Sequence, residues 1–114
     1  MRGGKVLDVG CGPGVMVPEL LDLDYDVWGV DGSTKMIQQC QNHFRENSRA
    51  HFVVGDAGKL PFPDEFFDTV ICTGVIGNLR TGASAIQEMA RVIKKEGTLL
   101  ISFPNFLSPY VIWT

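Results

Sequence analysis

The chain has 114 residues, with 10 Lys and Arg against 13 Asp and Glu and a formal net charge of −3. That length holds one domain, residues 1–114, with a single core, and an acidic balance without a basic stripe argues against a nucleic-acid partner. No apolar run reaches membrane-spanning length, no signal-peptide pattern precedes the first strand, and Cys11, Cys40 and Cys72 share no metal spacing, so they read as reduced thiols of a cytoplasmic protein without a metal site.

Lys5 to Val9 predicts a first strand that stops at the glycine-rich turn Gly10-Cys11-Gly12-Pro13-Gly14. A strand that runs into glycines lets the backbone turn sharply and approach a ligand closely. A helix is expected from Gly14 to about Leu23, with Pro18 near its first turn, where proline is tolerated. The helix N-terminus would then face the turn. Asp26 to Val30 predicts a second strand ending at Asp31, and Ser33 or Thr34 is placed to cap the next helix. Met36, Ile37, Cys40 and Phe44 give that helix an apolar stripe.

His51 to Val54 predicts the third strand, ending at Gly55-Asp56, and Asp68 to Cys72 the fourth. Ala83 to Lys95 predicts a helix, and Thr98 to Phe103 a fifth strand. The tail from 103 to 114 is apolar and aromatic. Strands alternate with helices, and the strands are continuous apolar runs, as in a parallel sheet buried on both faces. The expected fold class is therefore α/β, a Rossmann-like doubly wound sheet whose ligand lies beyond the carboxyl ends of the strands.

Asp8, Asp31 and Asp56 all fall near that rim. Each has a local alternative: Asp31 as a helix cap, Asp56 as a turn former, Asp8 as a partner for N–H groups of the glycine turn. Three acids at one rim repel a pyrophosphate but favour a nucleoside sulfonium carrying a free amino group. The glycine spacing agrees. The dinucleotide fingerprint places its last Gly or Ala where Val15 stands.

On these residues the chain resembles class I S-adenosylmethionine-dependent methyltransferases of the small-molecule, ubiquinone/menaquinone-pathway type. Val6–Gly14 resembles that family's first motif, Val27–Ser33 with Met36 the second, and Val54–Ala57 with Leu60-Pro61-Phe62 the third. Phe66–Cys72 resembles the fourth, and Glu88–Leu100 the helix-to-fifth-strand segment. The resemblance implies five parallel strands in order 3-2-1-4-5 and S-adenosyl-L-methionine as cofactor, with S-adenosyl-L-homocysteine as product.

It also implies roles. The turn at Gly10, Cys11, Gly12 and Gly14 would cradle the methionyl part, with the Gly10 carbonyl accepting from its amino group and Asp8 in support. Asp31 would accept both ribose hydroxyls, and Gly32 and Met36 would pack beside ribose and adenine, although Met36 also reads as core. Asp56 would accept from the adenine amino group, the Ala57 N–H would donate to a ring nitrogen, and the Thr73 carbonyl would lie near the methionyl amine.

The implied reaction is in-line methyl transfer to a small organic acceptor, governed by proximity and orientation. No catalytic residue is assigned. His43 and His51 are expected to face away from the rim, and Asn78 and Tyr110 are weak polar candidates. Relative to the family, the chain reads as truncated at both ends, lacking the usual C-terminal antiparallel strand pair. That would leave Thr98–Phe103 an apolar edge, covered either by another copy, giving a homo-oligomer, or by the folded-back tail, in which Tyr110–Trp113 has strand composition. Two other readings stand beside the enzyme: a non-catalytic module that binds S-adenosylmethionine or S-adenosylhomocysteine, and a nicotinamide-dependent oxidoreductase, which the glycine spacing and Asp56 disfavour.

Overall fold

The alternation of apolar runs and amphipathic segments is realised in order in the computed structural model, which describes residues 3–73, 79–102 and 110–113, with side chains over 3–72 and 83–101. The elements are β1 (Lys5–Val9), α1 (Val17–Asp22), β2 (Asp26–Asp31), α2 (Thr34–His43), β3 (Ala50–Val54), β4 (Phe67–Thr73), α3 (Leu79–Val92), β5 (Ile93–Ser102) and β6 (Tyr110–Trp113). They build one sheet in the order β3-β2-β1-β4-β5-β6. The first five strands are mutually parallel, in the expected order 3-2-1-4-5.

The sheet is buried on both faces, which is why its strands do not alternate. Leu7 and Val9 pack with Ala85, Met89 and Val92 of α3 on one face, while Val6 packs with Val17 and Leu20 of α1 on the other. Val6 and Leu7 have no exposed surface, and each such side chain contributes about 1.5–3 kcal/mol by leaving water. β1 is central, flanked by β2 and β4. The order of the sheet therefore reverses at β1, and the crevice for a ligand opens at such a point.

Two elements differ from the sequence reading. The first helix starts at Val17 rather than Gly14 and spans 6 residues, with Pro18 in its first turn. Gly14 has φ 84°, which a right-handed helix cannot contain. α3 ends at Val92, and Ile93 already pairs with Phe67 of β4. Ile93 is 2% exposed, and Lys94 reaches Asp68 at 3.2 Å. These anchors draw 93–95 into the strand where helical periodicity alone would extend the helix. The register breaks between Phe67 and Thr69, where Glu96 takes φ 65°.

At the edge, one of the two alternatives is realised: among the described residues a single antiparallel strand follows β5, with β6 pairing Leu99 opposite Ile112 and Leu100 opposite Val111. The tail thus folds back, and the open β5 edge that motivated self-association is occupied within the chain. Phe103 and Asn78 lie outside the described residues, as does the Tyr110 side chain.

β2 illustrates how tightly the layers meet. A Cβ on Gly29 would sit 2.7 Å from Phe52 Cδ1 and 2.9 Å from Cys11 Sγ. Gly29→Ala is expected to cost about 1–3 kcal/mol through overpacking, read as a lower urea midpoint at unchanged slope. Gly32→Ala is the contrast: its nearest atom would be the Gly55 carbonyl oxygen at 3.9 Å, and a stability change within about 0.5 kcal/mol is expected.

Candidate functional site

The carboxyl ends of β1, β2 and β3 meet at one rim, and the chain leaves each through a turn. After β1, Gly10, Gly12 and Gly14 take φ of 75°, 55° and 84°. Three left-handed residues at alternate positions explain the Gly-x-Gly-x-Gly spacing, because a Cβ is disfavoured at each. At Gly12 a Cβ would meet nothing within 4 Å, so the dihedral alone demands glycine there.

The first three N–H groups of this turn are satisfied from β2, and the Gly14 N–H donates within the turn to the Cys11 carbonyl at 3.0 Å. Gly10 and Cys11 N–H both donate to the Val30 carbonyl, at 2.7 and 3.1 Å. Gly12 N–H donates to Asp31 Oδ2 at 2.9 Å, and Ser33 N–H to Asp31 Oδ1 at 2.9 Å. One carboxylate therefore ties the turn after β1 to the turn after β2. Ser33 caps α2 as expected, its Oγ accepting from Met36 N–H at 3.2 Å. At the end of β3, Asp56 Oδ1 accepts from Gly58 N–H at 2.9 Å. The local reading of Asp56 as a turn former is thus realised, whereas Asp31, read locally as a helix cap, leaves the capping of α2 to Ser33 and accepts from Gly12 and Ser33 N–H instead. These bonds leave lone pairs on each carboxylate for a ligand.

Between these turns lies a cavity of about 260 Å³ lined by Val9, Gly10, Val30, Asp31, Gly32, Gly55, Asp56 and Ala57. Its lining is mostly apolar, with two carboxylates, Asp31 and Asp56, among it. Of the residues singled out in the sequence, Gly10, Asp31, Gly32, Asp56 and Ala57 line it. Val9, Val30 and Gly55 were missed. The signal for Gly55 was its place before Asp56, where a Cβ would strike Val30 Cγ2 at 2.8 Å and Pro61 Cδ at 3.1 Å.

The other candidates lie around the cavity rather than in its wall. Cys11 and Cys40 are buried under the turn, with both thiols directed at the Gly12 carbonyl, at 3.6 and 3.1 Å. Burial, then Cys40 and the Asp8 and Asp31 charges, pushes the Cys11 thiol far up, which makes it a poor nucleophile. None of the three cysteines is in a disulfide among the described residues. A Cβ on Gly14 would press on Phe44 at 2.9 Å, so this glycine also lets the turn pack on the end of α2. Met36 is half-buried on α2, and Thr73 closes β4 by pairing with Ser102.

Asp8 departs from its expected local role. It lies across from Gly29 and Ile71, on the face of β1 that turns away from the cavity wall, and is 2% exposed. The N–H groups of the glycine turn do not go to it. Burial, with a smaller push from Asp31, raises its carboxyl to about 7. His51 stacks on Trp28 at 4.5 Å in the first half of β3, and His43 packs edge-on against Phe44 at 4.6 Å. Both are exposed; His51 lies in the first half of β3, whereas His43, at the end of α2, lines a surface pocket together with Pro13, Gly14 and Val15 of the glycine turn. Among the described residues no cluster of three metal-ligating side chains gathers, and no helix is long and apolar enough to cross a membrane.

A doubly wound parallel sheet with a left-handed glycine turn at its reversal point and acids ending the next two strands defines a nucleoside-binding domain of the class I Rossmann-like type. Comparison narrows this: residues 7–101 match the methyltransferase domain family. The chain belongs to that family, whose class I members take S-adenosylmethionine as methyl donor. It is 35% identical over 103 residues to a phosphatidylethanolamine N-methyltransferase of Cereibacter sphaeroides, covering 88% of this chain and 50% of that protein. It is 34% identical over 100 residues to a demethylmenaquinone methyltransferase of Beutenbergia cavernae, covering 88% of this chain and 40% of that one. A crystal structure of a SAM-dependent methyltransferase from Methanosarcina mazei superposes with a TM-score of 0.81 at 26% identity, over 89% of this chain and 52% of the other. The chain thus spans half or less of the length of these curated relatives.

The Asp8 environment makes a pH prediction. Its carboxyl is protonated up to about 7 in the folded protein and up to 3.8 in the free amino acid. Between those values the folded state holds a proton that the unfolded chain has lost, so stability falls as pH rises from about 4 to 7 and levels off above. The full shift corresponds to about 4 kcal/mol as an upper bound. In urea titrations across that range, Asp8→Asn should remove most of the slope.

Proposed function

We propose that the protein is an S-adenosylmethionine-dependent methyltransferase acting on a small organic acceptor, with the cavity between β1, β2 and β3 holding the nucleoside. The observation that carries this reading is a left-handed glycine turn beside a largely apolar cavity whose lining includes both Asp31 and Asp56. The donor set suits a neutral nucleoside with a cationic tail. The cavity offers carboxylate acceptors for hydroxyl and amino groups and no cation for a pyrophosphate, which is the point against a dinucleotide.

In this reading Asp31 accepts from the ribose hydroxyls with the lone pairs that Gly12 and Ser33 leave free, a charge-assisted arrangement. Gly32 keeps its wall open, Asp56 accepts from the adenine amino group, and Ala57 N–H donates to the ring. The Gly10 and Thr73 carbonyls accept from the methionyl amine, and Cys11, Gly12 and Gly14 shape the turn beneath it. Asp8 contributes a field at that end: an ammonium group nearby would favour its ionised form and draw its proton off. Met36 packs at the ribose side.

S-adenosylmethionine supplies a methyl group already activated by the positive sulfur. What the chain itself must do is hold the cofactor still and exclude water, so that an acceptor atom meets the methyl in line. Relatives named for phosphatidylethanolamine and demethylmenaquinone favour an acceptor with a polar head and an apolar body. Three cysteines that form no disulfide among the described residues favour a reducing, cytoplasmic setting, and the acidic balance favours a partner other than nucleic acid.

Calorimetric titration tests this. S-adenosylhomocysteine should bind and NAD should not. Asp31→Asn keeps one oxygen acceptor but loses the charge, so it should weaken S-adenosylhomocysteine at least about tenfold. Asp31→Ala is the poorer variant, since it also frees two backbone N–H groups and costs about 1–3 kcal/mol of stability. A parent protein that binds NAD and not S-adenosylhomocysteine would overturn the assignment. Mass spectrometry of quinone and phospholipid acceptors, seeking a single added methyl, tests the transfer.

A further inference from the structure

The cavity wall at the end of β3 is made of backbone that belongs to no helix or strand. Residues 55–66 carry only one isolated bridge, between Asp56 and Lys59. Irregular backbone must find partners for its N–H and C=O groups or lose them to water, and here α3 supplies them. Glu88 Oε1 accepts from Leu60 N–H at 2.7 Å. Arg91 donates to the Leu60 carbonyl at 3.0 Å and to the Phe62 carbonyl at 2.9 Å. The two side chains also grip each other, Arg91 Nε to Glu88 Oε2 at 2.8 Å and Nη2 to Oε1 at 3.0 Å. A planar, charged fork suits such simultaneous contacts.

The grip is on main chain, and it lies close behind the cavity. Leu60 is 4% exposed and packs in the core cluster with Met89. Pro61, next to it, stands directly behind Gly55 of the cavity wall, since a Cβ on Gly55 would sit 3.1 Å from its Cδ. The intervening turn is stiff, because Lys59 N–H donates to the Asp56 carbonyl at 2.9 Å and Gly58 N–H to Asp56 Oδ1 at 2.9 Å. A shift of Leu60 would thus carry Gly55, Asp56 and Ala57 with it. The surface ion pair to Asp64 adds little, as that carboxylate is 73% exposed.

We propose that Glu88 and Arg91 are positioning residues that set the Gly55–Ala57 wall and so determine how sharply the site distinguishes adenine from other bases. This rests on the methyltransferase reading above, in which Asp56 and the Ala57 N–H face the adenine edge. Selectivity built on a pair of hydrogen bonds depends on where their atoms stand to within a few tenths of an ångström. It falls when the wall drifts, even if overall affinity survives.

The probes are S-adenosylhomocysteine and S-inosylhomocysteine, which differ at the 6-position, where an amino group becomes a carbonyl. Calorimetry on the full chain gives the selectivity ratio, the dissociation constant of S-inosylhomocysteine divided by that of S-adenosylhomocysteine, for the parent, Arg91→Lys, Arg91→Ala and Glu88→Gln. Arg91→Lys keeps the charge but not the fork, and should lower the ratio about five- to tenfold, the worth of one well-placed hydrogen bond. Glu88→Gln keeps the shape and the acceptor for Leu60 and should lower it less. It carries the test should Arg91→Ala fail to fold. A merely structural role would weaken both ligands alike and leave the ratio unchanged, and that result in Arg91→Lys and Glu88→Gln overturns the inference while sparing the methyltransferase reading. A parent that binds neither ligand overturns both.

Discussion

One carboxylate joins the two turns on which the cavity depends. Asp31 accepts from Gly12 on one side and from Ser33 on the other. The glycine turn has little structure of its own. Its N–H groups at Gly10 and Cys11 lean on the Val30 carbonyl, one residue earlier in the same strand. The end of β2 therefore does for this turn what a capping side chain does for a helix: it satisfies groups that the local backbone leaves without partners. The left-handed dihedrals make the bend feasible, and Asp31 fixes where it stands. β2 in turn is held down by Gly29, whose missing side chain lets Cys11 and Phe52 close over it.

The architecture was legible because its cause is short-range and repetitive. Burial on both faces writes itself as unbroken apolar strands, and left-handed dihedrals as alternate glycines. Ser33 was readable as a cap because the hydroxyl, the spacing and the apolar stripe of α2 agree. Boundaries were less legible wherever long-range contacts decided them. Ile93 to Lys95 continue a helical pattern, yet Phe67 and Asp68, remote in sequence, claim them for the sheet. The start of α1 moved for a local reason, the dihedral at Gly14, which the glycine announced and the helix pattern masked.

The cavity was legible in part for the same reason. Asp31, Gly32, Asp56 and Ala57 follow strand ends, so position along a strand placed them. Asp8 also lies near a strand end, but side chains alternate faces along a strand, and its parity sends it under the turn, away from the wall that Val9 helps to form. Glu88 and Arg91 fall in the Glu88–Leu100 segment that resembles the family, but their role as a clamp left no signal beyond a helical i, i+3 ion pair, because its targets are main-chain atoms about thirty residues earlier. Residues that hold backbone rather than side chains are invisible to pattern reading, since any residue type offers the same carbonyl.

The Lys5 N–H donates to Asp68 at 2.9 Å across a sequence separation of 63. That bond fastens β1 to β4. During synthesis, β1 meets β2 early, but its other edge stays open until β4, remote in sequence, has been made. Closing so long a loop is slow, and an apolar strand left open in the meantime invites wrong partners. The strand that leads into the glycine turn is therefore held on its second edge only once β4 is in place, so its setting belongs to the sheet and not to the segment alone.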